Sequence, residues 1–565
     1  MDPALLHLHS YFLFPFSVDK EAVVEDYRET WPKNKTWFGR LDEWISEHRG
    51  APLAKELGPW QRATYTRFDM ESPAYQDMVF FHPFVRRVFF DAQDPALKGR
   101  EQESLLNCYT IPLEAGRKLR LGAEDGKGRS AMVEVTDLRL FLFANGIGIL
   151  SIGVEAFQVP VSGGLWINEM LRKIYPSSAR QLREGRAPAR IWLEIERDGS
   201  GQLLVEERFE RAALRAYQPP LAKTITGLLY FTDYSRQEYE PVLDERMIVY
   251  SYAALDPATV PQDYAHSEEY QILLSRFLYV DQEGAGYRYD PDFTRKAMES
   301  HLYRRWAQQG TYYGFTSYSS IAMTIGTFDC DEHTLREGFL VHRMFASRYY
   351  LISIITLFYR ATLLDFAERT ALVSRQVYHD QDDGQLSPEN IRLTNRLRAD
   401  FLHFANHWYF DELANKDEEM EHFHQQCRAY RLQEMKSEGE TEIEKLNSSL
   451  NEYYGTQSAL AVNRLAMLSM VLGAGAVVTG YFGMNFGREF GKYFFEPEAG
   501  YPPLAHYGMI ALVSAFALAA LVFVFFRVIG NWRDYRDILM PGRRIEQQRS
   551  AHSLRRGPPA GRNSA

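Results

Sequence analysis

Metal-ligating side chains recur in this sequence at spacings that could bring them together. His403, His407 and Asp411 stand at i, i+4 and i+8, which places three ligand types on one face of a helix. Two histidines and a carboxylate on a partly exposed helix would look the same without a metal. His7 and His9 flank Leu8 in ALLHLHSYFLFPF, and alternation on a half-buried strand explains that pattern without a metal. His422 and His424 do not share a helical face. Asp417, Glu418, Glu419 and Glu421, and the later Glu434, Glu438, Glu440, Glu442 and Glu444, read as solvated helix surface. In a symmetric oligomer the same carboxylates could form weak divalent sites between subunits. The sequence contains no Walker loop, GxGxxG, GxSxG or HExxH, so nothing in it calls for covalent chemistry and the chain is not expected to be an enzyme.

The elements that must position these residues follow from periodicity. At 565 residues the chain is long enough for two to four domains, and its net charge of -10 leaves no footprint for direct nucleic-acid binding. Cys108, Cys330 and Cys427 are too dispersed for a disulfide framework or a cysteine zinc site. The start, MDPALLHLHSYFLFPF, lacks the basic residues and small-residue cleavage site of a signal peptide. Residues 1–330 alternate strand-like and helix-like patterns and are expected to form an α+β cytoplasmic domain with a mixed sheet. DLRLFLFANGIGILSIGVEAF reads as a hairpin closed by a type I′ turn at Asn145-Gly146, and ARIWLEIERDGSGQLLVEERF as a second hairpin. KTITGLLYF and RMIVYSYAAL read as further strands. Residues 331–416 read as a helical subdomain. YYLISIITLFY within it is too short to span a membrane and reads as a buried core helix. From Asp417 one very long helix is expected to run into the membrane, residues 417–464 forming its stalk. Ile443, Leu446, Leu450, Tyr453, Gln457 and Leu460 give it a coiled-coil-like seam, which implies packing between subunits.

Two late stretches qualify as transmembrane. Residues 465–486 lie in an uncharged run bounded by Arg464 and Arg488, long enough to cross ~30 Å of hydrocarbon, and residues 507–528 form the second span. Residues 487–506 would be a short extracytoplasmic loop. The arginine-rich tail at 529–565 places both termini in the cytoplasm of a cell (inner) membrane protein by the positive-inside rule. Gly483-Met484-Asn485 ends the first span.

A stalk helix feeding a first span, Gly483-Met484-Asn485 at its outer end and a second span close behind resemble the CorA family of divalent-cation channels. The resemblance covers about residues 440 to 530. It implies a funnel-shaped homopentamer in the lipid membrane, with the first spans lining the pore and Gly483, Met484 and Asn485 as the outer selectivity filter. Chemistry agrees with that role. Mg²⁺ dehydrates reluctantly, so a ring of Asn485 amide oxygens could hold the metal through its hydration shell, while Gly483 lets backbone carbonyls line the mouth. Counting inward from Asn485 along one helical face gives Gly480, Ala476, Gly473, Ser469, Leu465 and Val462 as pore-lining residues. Leu465 and Val462 would form an apolar ring that gates by dewetting. Mg²⁺, Co²⁺ or Ni²⁺ would be the substrate, and a divalent cation also the regulator. No organic cofactor is expected. Arg464, near the inner mouth, must point away from the pore or pair with an acid. An alternative comes from HSYFLFPFSVDKEAVVEDY, which is similar to CorA-like effectors encoded with type III CRISPR systems. That likeness implies an antiviral membrane effector gated by a nucleotide second messenger bound in the cytoplasmic domain.

Overall fold

The structure is a computed structural model. It describes residues 2–19, 40–63, 78–90, 105–326 and 340–483 with short interruptions, and part of 508–526. The chain divides into two compact units: Met1–Ala371 with Ala399–Thr441, and Leu372–Arg398 with Glu442–Ala565.

The first unit is built on β1 (Ala4–Val18), whose central segment is buried on both faces. Around it lie β2 (Gln61–Ala63), β3 (Leu106–Thr110), β4 (Lys118–Asp125), β5 (Ser130–Phe143), β6 (Ile147–Pro160), β7 (Pro188–Arg197), β8 (Ser200–Arg208), β9 (Tyr239–Pro241), β10 (Ile248–Leu255), β11 (Leu302–Tyr303), β12 (Tyr312–Phe315) and β13 (Ser319–Ile325). They form one mixed sheet in the order β11-β12-β13-β10-β1-β6-β5-β4-β7-β8, with β2, β3 and β9 paired off this path. β10 and β13 run parallel and the other described pairs are antiparallel. Pro15 sits inside the central strand without disrupting it. On one edge β1 pairs with β10 only as far as Leu13, and with β9 only from Phe16. The residue that cannot donate an N–H therefore falls between two ladders.

Alternation then sorts the side chains of β1. Leu8, Phe12, Phe14 and Phe16 enter the main apolar core, where Ser10 donates to Asn168 Oδ1 at 2.7 Å from helix α1 (Val161–Leu171). His7, His9 and Tyr11 face the opposite way. They meet α4 (Leu340–Met344), the π-helical turn Phe345–Tyr349 and α5 (Tyr350–Asp382), with the Tyr11 and Tyr350 rings 4.5 Å apart. α5 carries YYLISIITLFY, and its apolar window is 78% buried, so it is a core helix as expected. Tyr350 donates to Ser151 Oγ at 2.7 Å, and Phe358 stacks on Phe143 at 4.0 Å.

Several expectations change in detail. The β5–β6 hairpin forms, but of its two turn residues only Gly146 has positive φ, at 102°, so the turn is not type I′. Gly146 N donates to Phe143 O, as in a three-residue loop with glycine in the left-handed position. KTITGLLYF is not a strand. It forms helix α2 (Lys223–Leu228), because Ile225, Leu228 and Leu229 at i, i+3 and i+4 are all buried. α3 (Glu268–Leu278) packs on β13. The stalk is not one helix from Asp417. α7 (Asp417–Tyr430) stops at Arg431, whose φ of 56° is left-handed, and α8 (Leu432–Gly483) starts afresh. Of the first acidic cluster, Asp417 and Glu421 are exposed as expected, but Glu418 and Glu419 are not. Glu419 is 2% exposed and accepts from Arg348 at 2.7 Å, while Glu418 accepts from Trp306 and Tyr349. Glu421 accepts from Tyr303 and Arg305.

The second unit contains most of α8. Ile443, Leu446 and Leu450 of its seam are buried within the single chain, so that half of the seam is satisfied without other subunits. Gln457 is exposed.

Candidate functional site

Gly483 is the last residue of the 52-residue helix α8, and its Cβ position faces open space. Met484 and Asn485, the other two residues of the expected filter, lie outside the described residues, as do the loop at 487–506 and the tail at 529–565. The described part of the second span includes an apolar helix, Ser514–Phe523. The apolar window of α8 is long enough to cross a membrane and is not buried by its own chain. Leu465, Leu468 and Leu472 are each more than half exposed. An apolar surface of that extent marks contact with lipid or with other protein.

The helix has two faces. Met467, Met470, Ala474 and Val478 are partly covered, whereas Val462, Leu465, Ser469, Gly473, Ala476 and Gly480 are all exposed. At roughly 100° per residue the two sets lie roughly 140° apart around the axis. Among the described residues the six candidate pore residues are therefore uncovered, as are most of their neighbours on α8. Arg464 falls roughly 140° from the candidate pore residues by the same count. Thr479 donates its hydroxyl back to Gly475 O at 2.9 Å, so this polar group is satisfied within the helix.

His403, His407 and Asp411 do not share a helical face. α6 (Pro388–His403) continues as a π-helical turn only to Trp408, Tyr409 is extended, and Asp411 lies beyond the helix end. The rings of His403 and His407 remain neighbours at 4.9 Å.

The histidines that converge are those of HLH, where a half-buried strand alone was expected. His7 and His9 are 1% and 4% exposed. Glu155 lies directly across from His9 in the β1–β6 register, and His342 reaches them from α4. His9 Nδ1 stands 2.8 Å from His342 Nε2. Glu155 Oε1 is 3.2 Å from His7 Nε2, 3.2 Å from His9 Nδ1 and 3.7 Å from His342 Nε2. All four atoms lie within 4.8 Å of one another. Burial, with the neighbouring His342, His7 and Arg139, holds His9 well below the ordinary imidazole range, and burial with His7 lowers His342 to about 3. The i, i+2 spacing of HLH was visible in the sequence. Its third histidine, more than three hundred residues away, was not.

A second feature of the first unit is a cavity of about 320 Å³ whose lining includes Arg172, Lys173, Arg186, Arg246, Tyr279 and Tyr318. Glu169 pairs with both Arg172 and Lys173, and Asp281 also lines the cavity, so four cationic side chains stand against two carboxylates. Arg172 is 3% exposed, lies over the Tyr318 ring at 5.5 Å, and has Nε and Nη1 without hydrogen-bond partners among the described residues. Burial lowers its guanidinium pKa, with Glu169 opposing the shift. Cations beside aromatic rings suit an anion that carries a flat, stackable group.

The chain matches no protein-family model, no curated protein and no solved structure.

Proposed function

We propose that the chain is a CorA-like divalent-cation channel of the inner membrane, a homopentamer with both termini cytoplasmic. Hydrated Mg²⁺, or Co²⁺ or Ni²⁺, passes the Gly483-Met484-Asn485 ring down its electrochemical gradient. The observation that carries this reading is α8: one helix with an uncovered apolar C-terminal half, ending on Gly483, with the candidate pore residues opposite its covered face. Lipid and neighbouring copies of the helix would cover what the single chain leaves bare. The test is flux through purified protein in liposomes. Wild-type protein conducts Mg²⁺, and an Asn485→Ala variant that assembles normally loses most of that flux.

The cationic, tyrosine-lined cavity favours a second reading of the gate, in which a nucleotide second messenger opens the pore of an antiviral effector. Phosphates would meet Arg172, Lys173 and Arg246, and a base would stack on tyrosine. Candidate nucleotides should then raise the unfolding temperature of wild-type protein above that with Mg²⁺ alone, and Arg246→Ala should abolish the difference. Equal unfolding temperatures would remove this reading and leave the channel reading intact.

A further inference from the structure

We propose that His7, His9, His342 and Glu155 form a binding site for a zinc-class divalent cation within the first unit. The site is independent of the pore reading and differs from it in chemistry. Its donor set is three imidazole nitrogens and one carboxylate oxygen. Mg²⁺ and Ca²⁺ prefer all-oxygen shells, whereas imidazole suits Zn²⁺, Ni²⁺, Co²⁺ and Cu²⁺.

The distances fit a metal at the centre. Bonds of about 2.0–2.1 Å in a tetrahedral shell put neighbouring ligand atoms about 3.4 Å apart. Four of the six separations are 2.8, 3.2, 3.2 and 3.7 Å, and all lie within 4.8 Å. Hydrogen bonds alone serve the cluster poorly. Three nitrogens approach the same carboxylate oxygen, yet His9 Nδ1 and His342 Nε2 are so close that at least one must present a lone pair to the other. His7 Nε2 is buried and makes no hydrogen bond to any described residue. A cation uses one lone pair from each of the four atoms and resolves both conflicts.

The surroundings support the same use. Aromatic rings of Phe157, Tyr252 and Phe345 pack against the imidazoles and limit water access. Thr136 Oγ1 lies 3.5 Å from His9 Nε2, where it orients the ring from behind. The Glu155 side chain is 20% exposed, which leaves a route inward for the ion. Four protein ligands make a closed, structural type of site rather than a catalytic one. Its effect is to tie α4 to β1 and β6 just ahead of the π-helical turn and the core helix α5.

The test uses the full-length protein in detergent, stripped with chelator and reloaded with Co²⁺ or Zn²⁺. Wild-type protein should retain about one equivalent of metal per chain, and Co²⁺ should show the visible absorption of a tetrahedral nitrogen–oxygen shell. Chelation should lower its unfolding temperature. His342→Ala should retain no stoichiometric metal and lose both the absorption and the chelator effect, and His403→Ala should keep all three. Glu155→Gln removes the least buried ligand and serves as the deciding variant if His342→Ala does not fold; it should bind metal at least tenfold more weakly. Wild-type protein that retains no metal, or ligand variants that retain it with unchanged affinity, would overturn the proposal.

Discussion

Among the described residues Glu419 pairs with Arg348, and the geometry makes the pair a sharp test of the packing. Arg348 donates to it at 2.7 Å while Glu419 itself is almost fully buried. Arg348→Ala would strand a buried carboxylate, so urea unfolding should show a loss of about 3–5 kcal/mol. Were Glu419 the solvated surface carboxylate expected from the acidic run, the loss would be under about 1 kcal/mol. His422 offers a test of sign. It is buried against the ring of Tyr349 at 4.0 Å, with Tyr303, Tyr313 and Phe315 around it, and burial lowers its pKa from 6.5 to about 3. The unfolded chain therefore binds the extra proton as pH falls below 6.5, and stability drops across the window down to about 3. One such group contributes a slope of up to about 1.4 kcal/mol per pH unit. Unfolding free energies of wild type and His422→Phe, measured at pH 7 and pH 4.5, should show a shallower pH dependence in the variant. Equal dependence would contradict the assignment.

At the scale of elements, periodicity carried far where one face decided the structure. The strand over ALLHLHSYFLFPF, both hairpins and the core helix of YYLISIITLFY are at the expected places, although that strand is buried on both faces and the first hairpin's turn is not type I′. It failed where a local pattern was outvoted. The β-branched residues of KTITGLLYF suggested a strand, but the burial of Ile225, Leu228 and Leu229 follows a helical period. No proline or glycine marks Arg431, so the break between α7 and α8 could not be read. That break can be tested. Glycine inside a continuous helix costs about 1 kcal/mol relative to alanine, whereas a left-handed position costs a residue with a side chain about 1–2 kcal/mol that glycine avoids. Arg431→Gly should therefore be at least as stable as Arg431→Ala. A variant less stable than Arg431→Ala by about 1 kcal/mol would mean an unbroken stalk. The His7–His9–His342–Glu155 cluster was half legible, because sequence spacing reports the partners of one strand and is silent on the helix that crosses it.

At the scale of the whole molecule, the account rests on an apolar helix that its own chain does not cover. Half of the stalk seam is already buried within the single chain, so the proposed contact between copies would fall to the remainder of α8. The mass of the purified particle in detergent, corrected for bound detergent, should correspond to five chains, and a monodisperse monomer would contradict the pore. Leu465→Asn, which puts an amide into the proposed apolar ring, should raise resting Mg²⁺ flux if that ring gates by dewetting. The most direct measurement remains Mg²⁺ uptake into liposomes containing wild-type protein or Asn485→Ala, matched for assembly. Uptake by the wild type and its loss in the variant is the expected result; equal uptake by both, or none by either at any internal Mg²⁺ concentration or with any nucleotide, would overturn the channel reading.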